Sequence, residues 1–299
     1  MSAVQLGQYP PASHLIAHIS DTHFLAGNRA LYGTVDTDGP VRQAMEQLER
    51  SGLRPDALLF TGDIADRGEA DAYCRIRDIV EAAAERLGAP VIWVMGNHDK
   101  REAFRTELLR ETGSAQPVDR VVDLDGVRVV ALDTSVPGYH HGDLSDAQLD
   151  WLADVLSDPA PHGTLLALHH PPLPTLLPLM SILELRGQAR LAEVVAGTDI
   201  RAILGGHLHH ATTGLFAGIP VSVAAATCYT IDPTGPTREL TGVQGGQSIN
   251  LVHVYEDQIV HSLVPLGDFP GATHFDAAFV ARIEALSPDE RTEAFSRQV

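Results

Sequence analysis

Short apolar runs alternate with amphipathic stretches over the first two-thirds of this 299-residue chain. Apolar residues recur at helical spacing from Ala72 to Leu87, and Gly88 follows them as a helix stop. Runs rich in Val, Ile and Leu predict strands that are buried on both faces of a sheet. These runs are LIAHIS (15–20), ALLFTG (57–62), VIWVMG (91–96), TLLALH (164–169) and AILGGH (202–207). The alternation of strands and helices favours an α/β fold.

Hairpins and a second helix complete the predicted architecture. Ser145 and Gln148 have the spacing of a capping box, which predicts a helix start. Asp125 and Gly126 separate VVDL from VRVVAL and predict a tight hairpin turn. Further along, four consecutive strands are expected to be antiparallel: TTGLFAG, IPVSVAAAT, INLVHVY and QIVHSLVPL. The whole pattern predicts an α/β fold in which a two-sheet β-sandwich is flanked by helices.

The same pattern predicts one domain and a tail. We expect a single domain over residues 14–266 and a helical C-terminal tail at 267–299, because no linker divides the chain. The Pro-rich segment 170–180 is the one long irregular stretch before residue 230. Two interpretations of it stay open, a loop that lines a site and a plain surface connection.

A side chain able to bind a metal follows each of the five apolar runs. In open α/β sheets ligands gather outside the carboxyl ends of the strands, so these five ends are expected to meet in one crevice. Gly62, Gly96 and Gly206 directly precede the polar residue in three cases and allow a sharp turn. Each motif alone has an ordinary structural explanation, such as a helix cap for Gly-Asp. Their conjunction favours a metal site formed by Asp21, His23, Asp63, Asn97, His169, His207 and His209.

The donor set narrows the choice of metals. Seven oxygen and imidazole donors exceed the four that one zinc takes, and they fit two metals that share a carboxylate. The absence of thiolates from the set favours manganese, iron, cobalt or zinc over copper(I) or an iron–sulfur cluster. Two cations would outweigh the carboxylates of Asp21 and Asp63, so the site suits a phosphate ester.

Composition and charge exclude several other classes of protein. With 44% hydrophobic and 20% charged residues the chain has a normal globular balance. A net charge of −18 argues against a nucleic-acid polymer as partner, because such binding depends on Lys and Arg. Cys74 and Cys228 form no CxxC pair, which favours a reducing compartment. No secretory signal and no apolar run of about 20 residues is visible, so we expect a cytoplasmic protein without a membrane span.

The order of motifs from His18 to His209 resembles the calcineurin-like metallophosphoesterase superfamily. That order is DxH, GD, GNHD, HH and GHLH. The finer forms HISDTH, GDIADRG, GNHD, LHHPP and GHLH, in a chain of this length, are similar to those of bacterial class III cyclic-nucleotide phosphodiesterases. GDIADRG also resembles the protein serine/threonine phosphatases, but those carry GNHE rather than GNHD.

The resemblance implies a role for each motif residue. The first metal would be bound by Asp21, His23, Asp63 and His209, and the second by Asp63, Asn97, His169 and His207, with Asp63 bridging. An iron–manganese pair is implied, with zinc or cobalt as alternatives. His98 would contact the phosphate and help to protonate the departing alkoxide, and Asp99 would orient His98. The substrate phosphate would lie within reach of His23, Asp63, Asn97, His98 and His209.

The implied activity is hydrolysis of 3′,5′- or 2′,3′-cyclic nucleotides to nucleoside monophosphates. Another small anionic diester, such as a glycerophosphodiester, is the alternative substrate; a nuclease is disfavoured by the charge. A non-catalytic scaffold is a further alternative, since some relatives have lost metal ligands. The resemblance also implies a homodimer. Residues near the motifs stay open between lining the site and a purely structural role, namely His140, His141, His170, Cys228 and Tyr229.

Overall fold

Two β-sheets pack face to face in this computed structural model, which describes residues 4–236 and 238–298. The strands of the first half are β1 (His14–Ile19), β2 (Ala57–Thr61), β3 (Val91–Val94), β4 (Arg120–Leu124), β5 (Val127–Leu132) and β6 (Thr164–Leu168). The second half contributes β7 (Ile200–Gly205), β8 (Thr212–Phe216), β9 (Ile219–Val223), β10 (Thr230–Ile231), β11 (Gly242–Val243), β12 (Ser248–Val254) and β13 (Ile259–Pro265).

The described residues form seven α-helices. They are α1 (Asp38–Ser51), α2 (Ala70–Leu87), α3 (Arg101–Ala103), α4 (Asp146–Leu156), α5 (Gln188–Val195), α6 (Ala277–Glu284) and α7 (Pro288–Arg291). Short 3-10 turns lie at Ala26–Asn28 and Met180–Leu183, and π-helical turns at Phe104–Leu108 and Thr292–Ser296. The predicted capping box of α4 is present, because Ser145 Oγ accepts the Gln148 amide.

The first sheet has the order β13-β12-β1-β2-β3. Its strands β1, β2 and β3 run parallel, whereas β12 pairs antiparallel with both β1 and β13. The second sheet has the order β4-β5-β6-β7-β9-β8, with β5, β6, β7 and β9 parallel. The predicted hairpin joins β4 to β5, and both Asp125 and Gly126 have positive φ as a primed turn requires.

Three apolar layers hold the sandwich together. Between the sheets lie side chains of both, among them Ile16 and Leu59 from the first and Leu165 and Leu204 from the second. A second layer joins the first sheet to α1 and α2, and a third joins the second sheet to α4 and α5. The predicted two-sheet α/β fold in a single domain is confirmed.

The C-terminal tail is helical and lies on the surface. Leu266 is the last buried residue, and from 267 to 298 the described residues are half-buried or exposed. The Pro-rich segment 170–180 has no strand or α-helix, and it leads into the 3-10 turn at Met180–Leu183. The boundary at 266 stays a proposal about domain organisation.

Candidate metal centre

The carboxyl ends of β1, β2, β3, β6 and β7 meet at one edge of the sandwich. Asp21 and His23 follow β1, Asp63 follows β2 and Asn97 follows β3. From the second sheet, His169 follows β6, and His207 and His209 follow β7. The structure therefore brings all seven candidate ligands together, three segments from one sheet and two from the other. Within this set, ligand atoms of Asp21, His23 and Asp63 lie within 4.8 Å of one another.

Asp63 lies at the middle of the cluster. Its Oδ2 atom is 3.4 Å from His23 Nε2 and 3.3 Å from His169 Nε2, so one oxygen faces an imidazole from each predicted metal site. Its Oδ1 atom accepts the backbone N–H of His98 at 2.8 Å, which fixes the carboxylate plane. Asp63 therefore lies between the two groups of candidate ligands.

Each candidate histidine donates through one ring nitrogen and keeps the other for the centre. His169 Nδ1 donates to the Thr61 carbonyl at 2.8 Å, and His209 Nδ1 donates to the Tyr229 carbonyl at 3.0 Å. Nε2 of His207 donates to the Leu183 carbonyl at 3.0 Å. Such bonds fix the tautomer and ring orientation of a metal-binding histidine.

His23 shows the same arrangement with a carboxylate as its partner. Its Nδ1 lies 3.1 Å from Asp66 Oδ1, while its Nε2 is buried without a hydrogen-bond partner. A buried nitrogen without a partner is costly unless something else binds it. The donor set and this unpartnered nitrogen fit a pair of metal ions.

Asn97 completes the second group of ligands. Its Oδ1 lies 3.1 Å from His169 Nε2, and its Nδ2 donates to His140 Nδ1 at 2.9 Å. The amide oxygen is thereby turned inwards and the amide nitrogen outwards. His140, which the sequence left undecided, thus positions a candidate ligand.

Backbone conformation at the strand ends is strained where the ligands lie. A positive φ is uncommon for residues other than glycine and costs free energy. Five candidate ligands nevertheless have a φ between 49° and 70°, namely Asp21, His23, Asp63, His207 and His209. This concentration of strain is typical of a functional site.

All three predicted glycines are required by close approach of the chain, and at Gly96 a Cβ atom would lie 2.1 Å from the backbone nitrogen of Asp63. At Gly206 a Cβ atom would lie 1.9 Å from Ser20 Oγ and 2.8 Å from Asp21 Oδ2. At Gly62, whose φ is +91°, it would lie 2.4 Å from His169 Nδ1. A larger residue at any of these positions would displace a candidate ligand.

The carboxylate beside His98 is Asp66, which corrects the orienting contact expected of Asp99. His98 Nδ1 donates to the Asp66 carbonyl at 2.8 Å and lies 3.5 Å from the Asp66 carboxylate. The Asp99 carboxylate instead accepts the backbone N–H groups of Ile64, Ala65 and Gly96 and the hydroxyl of Tyr73. These four hydrogen bonds, from the loops after β2 and β3 and from α2, hold the Asp99 carboxylate so that it cannot turn towards the His98 ring.

The pKa values of the two candidate catalytic residues, His98 and Asp99, are both raised, but for different reasons. Burial lowers the pKa of His98, but the carboxylate of Asp63 and the carbonyl of Asp66 outweigh it, so this pKa lies above its usual value. The imidazole is therefore biased towards its protonated form. Burial, helped by the charge of Asp63, raises the pKa of Asp99 to about 6.

Three further residues beside the site have other roles. Both ring nitrogens of His170 are used, one with Thr134 Oγ1 at 2.7 Å and one with the His140 carbonyl at 3.2 Å, so His170 is a supporting residue. Cys228 lies 3.9 Å from His209 Nδ1, and burial raises the pKa of its thiol well above the usual range. The ring of Tyr229 packs 4.5 Å from that of His209, so this strand end does reach the site.

Sequence reasoning missed the roles of Asp66 and Tyr73. Asp66 belongs to the GDIADRG motif, three residues after Asp63, so its position in that motif was a usable signal. Tyr73 lies in the first turn of α2 and is fully buried, and its hydroxyl donates to Asp99 at 2.9 Å. No pattern along the chain distinguishes it from an ordinary core tyrosine.

Comparison with known proteins identifies relatives over most of the chain. The sequence profile described as calcineurin-like phosphoesterase matches residues 14–211. A cAMP/cGMP dual specificity phosphodiesterase of Mycobacterium tuberculosis is 54% identical over 267 residues, covering 89% of this chain and 84% of the relative. A glycerophosphodiester phosphodiesterase of Enterobacter lignolyticus is 32% identical, covering 73% of this chain and 78% of the relative.

Solved structures share the architecture at lower sequence identity. A dimetal phosphatase from Danio rerio superposes with a TM-score of 0.63 at 17% identity, covering 86% of this chain and 98% of that protein. At this identity the likeness concerns the fold. Among the described residues, no helix is long and apolar enough to cross a membrane.

Proposed function

We propose that this chain, which belongs to the calcineurin-like phosphoesterase family, is a two-metal phosphodiesterase that hydrolyses cyclic nucleotides to nucleoside monophosphates. The observation that carries the proposal is the position of Asp63 Oδ2, 3.4 Å from His23 Nε2 and 3.3 Å from His169 Nε2. Support for the substrate class comes from the 54% identical relative named as a cAMP/cGMP phosphodiesterase.

We assign the metals to two groups of residues. Asp21, His23, Asp63 and His209 would hold the first, and Asp63, Asn97, His169 and His207 the second. When bound, such a pair polarises a phosphoryl oxygen and activates water. Only Asp21 and Asp63 bring negative charge to the set, so an anionic diester can enter the loaded site.

His98 is proposed as the proton donor to the leaving alkoxide. The ring is partly open to solvent, with 27% of the side chain exposed, and packs 4.7 Å from the ring of His23. Its Nδ1 is held by Asp66, which leaves Nε2 for the substrate. His23, Asp63, Asn97 and His209 would complete the surroundings of the phosphate.

We also propose a metal pair, an oligomeric state and a cellular location. An iron–manganese pair and a homodimer rest on the family resemblance, with zinc or cobalt as alternative metals. A cytoplasmic location rests on the two cysteines, Cys74 and Cys228, which are unpaired in the structure. Elemental analysis, sedimentation equilibrium and cell fractionation test them separately.

Metal stoichiometry and substrate comparison test the central proposal. Purified protein loaded with transition ions should bind two equivalents and should hydrolyse cAMP, cGMP and 2′,3′-cyclic AMP. Uptake of one equivalent or none would overturn the two-metal assignment. A glycerophosphodiester is the alternative substrate because of the 32% identical relative, and a higher kcat/KM for it than for any cyclic nucleotide would favour that activity.

A further inference from the structure

An aromatic cavity lies beside His209 and takes no part in the roles assigned above. It encloses about 400 Å³, within the range of small-molecule sites. Its walls come from the turn before α1, from β10 and from the segment around β11. Tyr32 and Tyr229 form its aromatic side, and Tyr229 links it directly to the metal centre.

Tyr229 is held firmly between the centre and the cavity. Its carbonyl accepts His209 Nδ1 at 3.0 Å, and its ring centroid lies 4.5 Å from that of His209. Behind the ring, a Cβ atom at Gly242 would lie 2.9 Å from Tyr229 Cδ2, so the chain at Gly242 packs directly on the ring. A group seated against Tyr229 is therefore one side chain away from a candidate ligand.

Tyr32 presents its ring to solvent from a strained turn. It has a φ of 53° within a loop that Leu31 and Val35 close by hydrogen bonds, and 72% of its surface is exposed. Its ring meets that of Tyr229 edge-on, with the centroids 5.7 Å apart and the hydroxyls 3.3 Å apart. Packing does not explain why a strained backbone holds this large aromatic ring in solvent. Contact with a ligand would explain it.

The lining favours a flat, uncharged group. Apart from the tyrosines it consists of Val35, Ile231, Leu240 and Val243, with Thr34, Gly242 and Gln244, and none of these described residues is charged. The cavity beside Asn97 differs, because Lys100, Arg101 and Glu102 line it. A neutral ring with hydrogen-bonding edges is better matched to the tyrosine cavity than to the charged one.

We propose that the cavity between Tyr32 and Tyr229 binds the nucleobase of the substrate, with its phosphate at the metal centre. A base would stack on the Tyr32 ring, and Gln244 and Thr34 would offer polar atoms to its edges. The inference rests on the proposed function, since it names where a cyclic nucleotide is recognised.

Binding without turnover tests the pocket independently of hydrolysis. Isothermal titration of metal-loaded protein should give a Kd for adenosine 5′-monophosphate at least about tenfold below that for ribose 5-phosphate, since stacking of one base accounts for such a factor. Tyr32→Ala should remove that preference, and Tyr32→Phe should keep most of it. Equal affinity of the wild-type protein for the two ligands would overturn the proposal.

A matched control comes from the other end of the sheet. Tyr9 is also exposed, at 64%, and meets Tyr255 edge-on with the centroids 6.2 Å apart. Tyr9→Ala should leave the preference for adenosine 5′-monophosphate unchanged. If Tyr9→Ala and Tyr32→Ala lower it equally, the effect is not local to the cavity and the assignment fails.

Kinetics separate failure of the pocket from failure of the proposed function. In Tyr32→Ala the ratio of kcat/KM for cAMP to that for glycerophosphoethanolamine should fall about tenfold or more. An unchanged ratio in an active enzyme would reject the pocket alone. If the wild-type protein hydrolyses no cyclic nucleotide, the proposed function fails, and the binding experiment still decides whether the cavity takes a base.

Discussion

His98 and Asp99 are neighbours in the chain that experience different surroundings. His98 lies at the opening of the site beside His23 and His140, with centroid distances of 4.7 Å and 4.9 Å. Asp99 joins the loops after β2 and β3 by three hydrogen bonds and α2 by a fourth, from the hydroxyl of Tyr73. Substitution should therefore affect chemistry at one residue and folding at the other.

His98→Ala should slow esters with poor leaving groups more than nitrophenyl esters, with both metals retained. The reason is that a good leaving group needs no proton from His98. Measured kcat values for cAMP and bis(p-nitrophenyl) phosphate check this, and equal slowing of both substrates would contradict the proton-donor role.

Asp99→Ala should lower the free energy of unfolding by about 3 kcal/mol, because it leaves several buried donors unpaired. Urea unfolding measures this change in stability.

Asn97→Ala should weaken the second metal and reduce turnover by orders of magnitude. The amide oxygen faces His169 Nε2 at 3.1 Å, so its loss removes a donor from that group alone. Elemental analysis after dialysis should find about one metal retained where the wild-type protein keeps two. Near-normal turnover in metal-limited buffer would exclude Asn97 as a ligand, and His141→Ala, at a half-buried loop position outside the candidate ligand set, serves as the control.

Residue types in a fixed order predicted the family, and the profile match confirms it. The partners of those residues were harder to foresee. Asp66 and Tyr73 are brought to the site by the turn after β2 and by α2, and their contacts depend on side-chain direction. Spacing along the chain contains no information on which of two acidic neighbours turns towards His98.

At the scale of elements, the ends of the strands leave the least room for a different residue. Gly206 lies directly after β7 and packs against the end of β1 so closely that Ser20 Oγ would be 1.9 Å from an added Cβ. The five predicted strands were recognisable because each is short, apolar and followed by a glycine or a polar residue.

Gly206→Ala should lower the free energy of unfolding by about 1–3 kcal/mol and should reduce metal uptake. The added methyl group forces Ser20 and Asp21 apart from β7. Thermal unfolding and elemental analysis check the two effects. Gly245→Ala is the matched control, since nothing lies within 4 Å of its Cβ position, and it should change stability by less than about 0.5 kcal/mol. Equal effects of the two substitutions would contradict the steric argument.

Removal of the tail at 267–299 should leave folding and turnover nearly unchanged. The described part of that tail contributes no buried residue, and Phe275, Phe279 and Phe295 pack on one another rather than into the sandwich. The melting temperature should fall by no more than about 2 °C. A chain ending at Leu266 that aggregates or loses activity would show that the tail belongs to the domain.

At the scale of the whole molecule, the local pattern of apolar residues did not determine which sheet each strand joins. The late strands pair antiparallel as expected within β8–β9 and within β12–β13, but β8 and β9 join the second sheet, where β9 also runs parallel to β7, whereas β12 and β13 join the first. That division depends on long-range pairing between β1 and β12, with His14 opposite Val254. Alternation of apolar residues predicts strands and does not specify a partner more than 200 residues away.

Acid should destabilise the folded molecule partly through His18, a buried histidine between the sheets. Burial, helped by nearby His261, lowers its pKa to about 3, and its Nε2 contacts Thr61 Oγ1 at 2.8 Å. As the pH falls below about 6.5 the unfolded chain binds a proton that the folded chain excludes. Its contribution to the free energy of unfolding is complete above that pH and decreases by on the order of 4 kcal/mol as the pH approaches 3.

Urea unfolding of chelator-treated protein between pH 7.5 and about 4.5 measures this dependence without metal binding. His18→Gln should show a shallower loss of stability with acid, by up to about 1.4 kcal/mol per pH unit. The comparison uses the slope of the free energy of unfolding against pH rather than its value at one pH, because the substitution also removes packing contacts. Parallel curves for the two proteins would show that another group is responsible.

The pairing of β1 with β12 also has a consequence for synthesis of the protein. As the chain leaves the ribosome, the first strand emerges about 235 residues before the strand that covers its open edge. Until then the unpaired edge of β1 can form hydrogen bonds with a strand of another chain. Contacts between residues so distant in sequence also form slowly. We therefore expect abrupt overproduction to favour inclusion bodies over the native product.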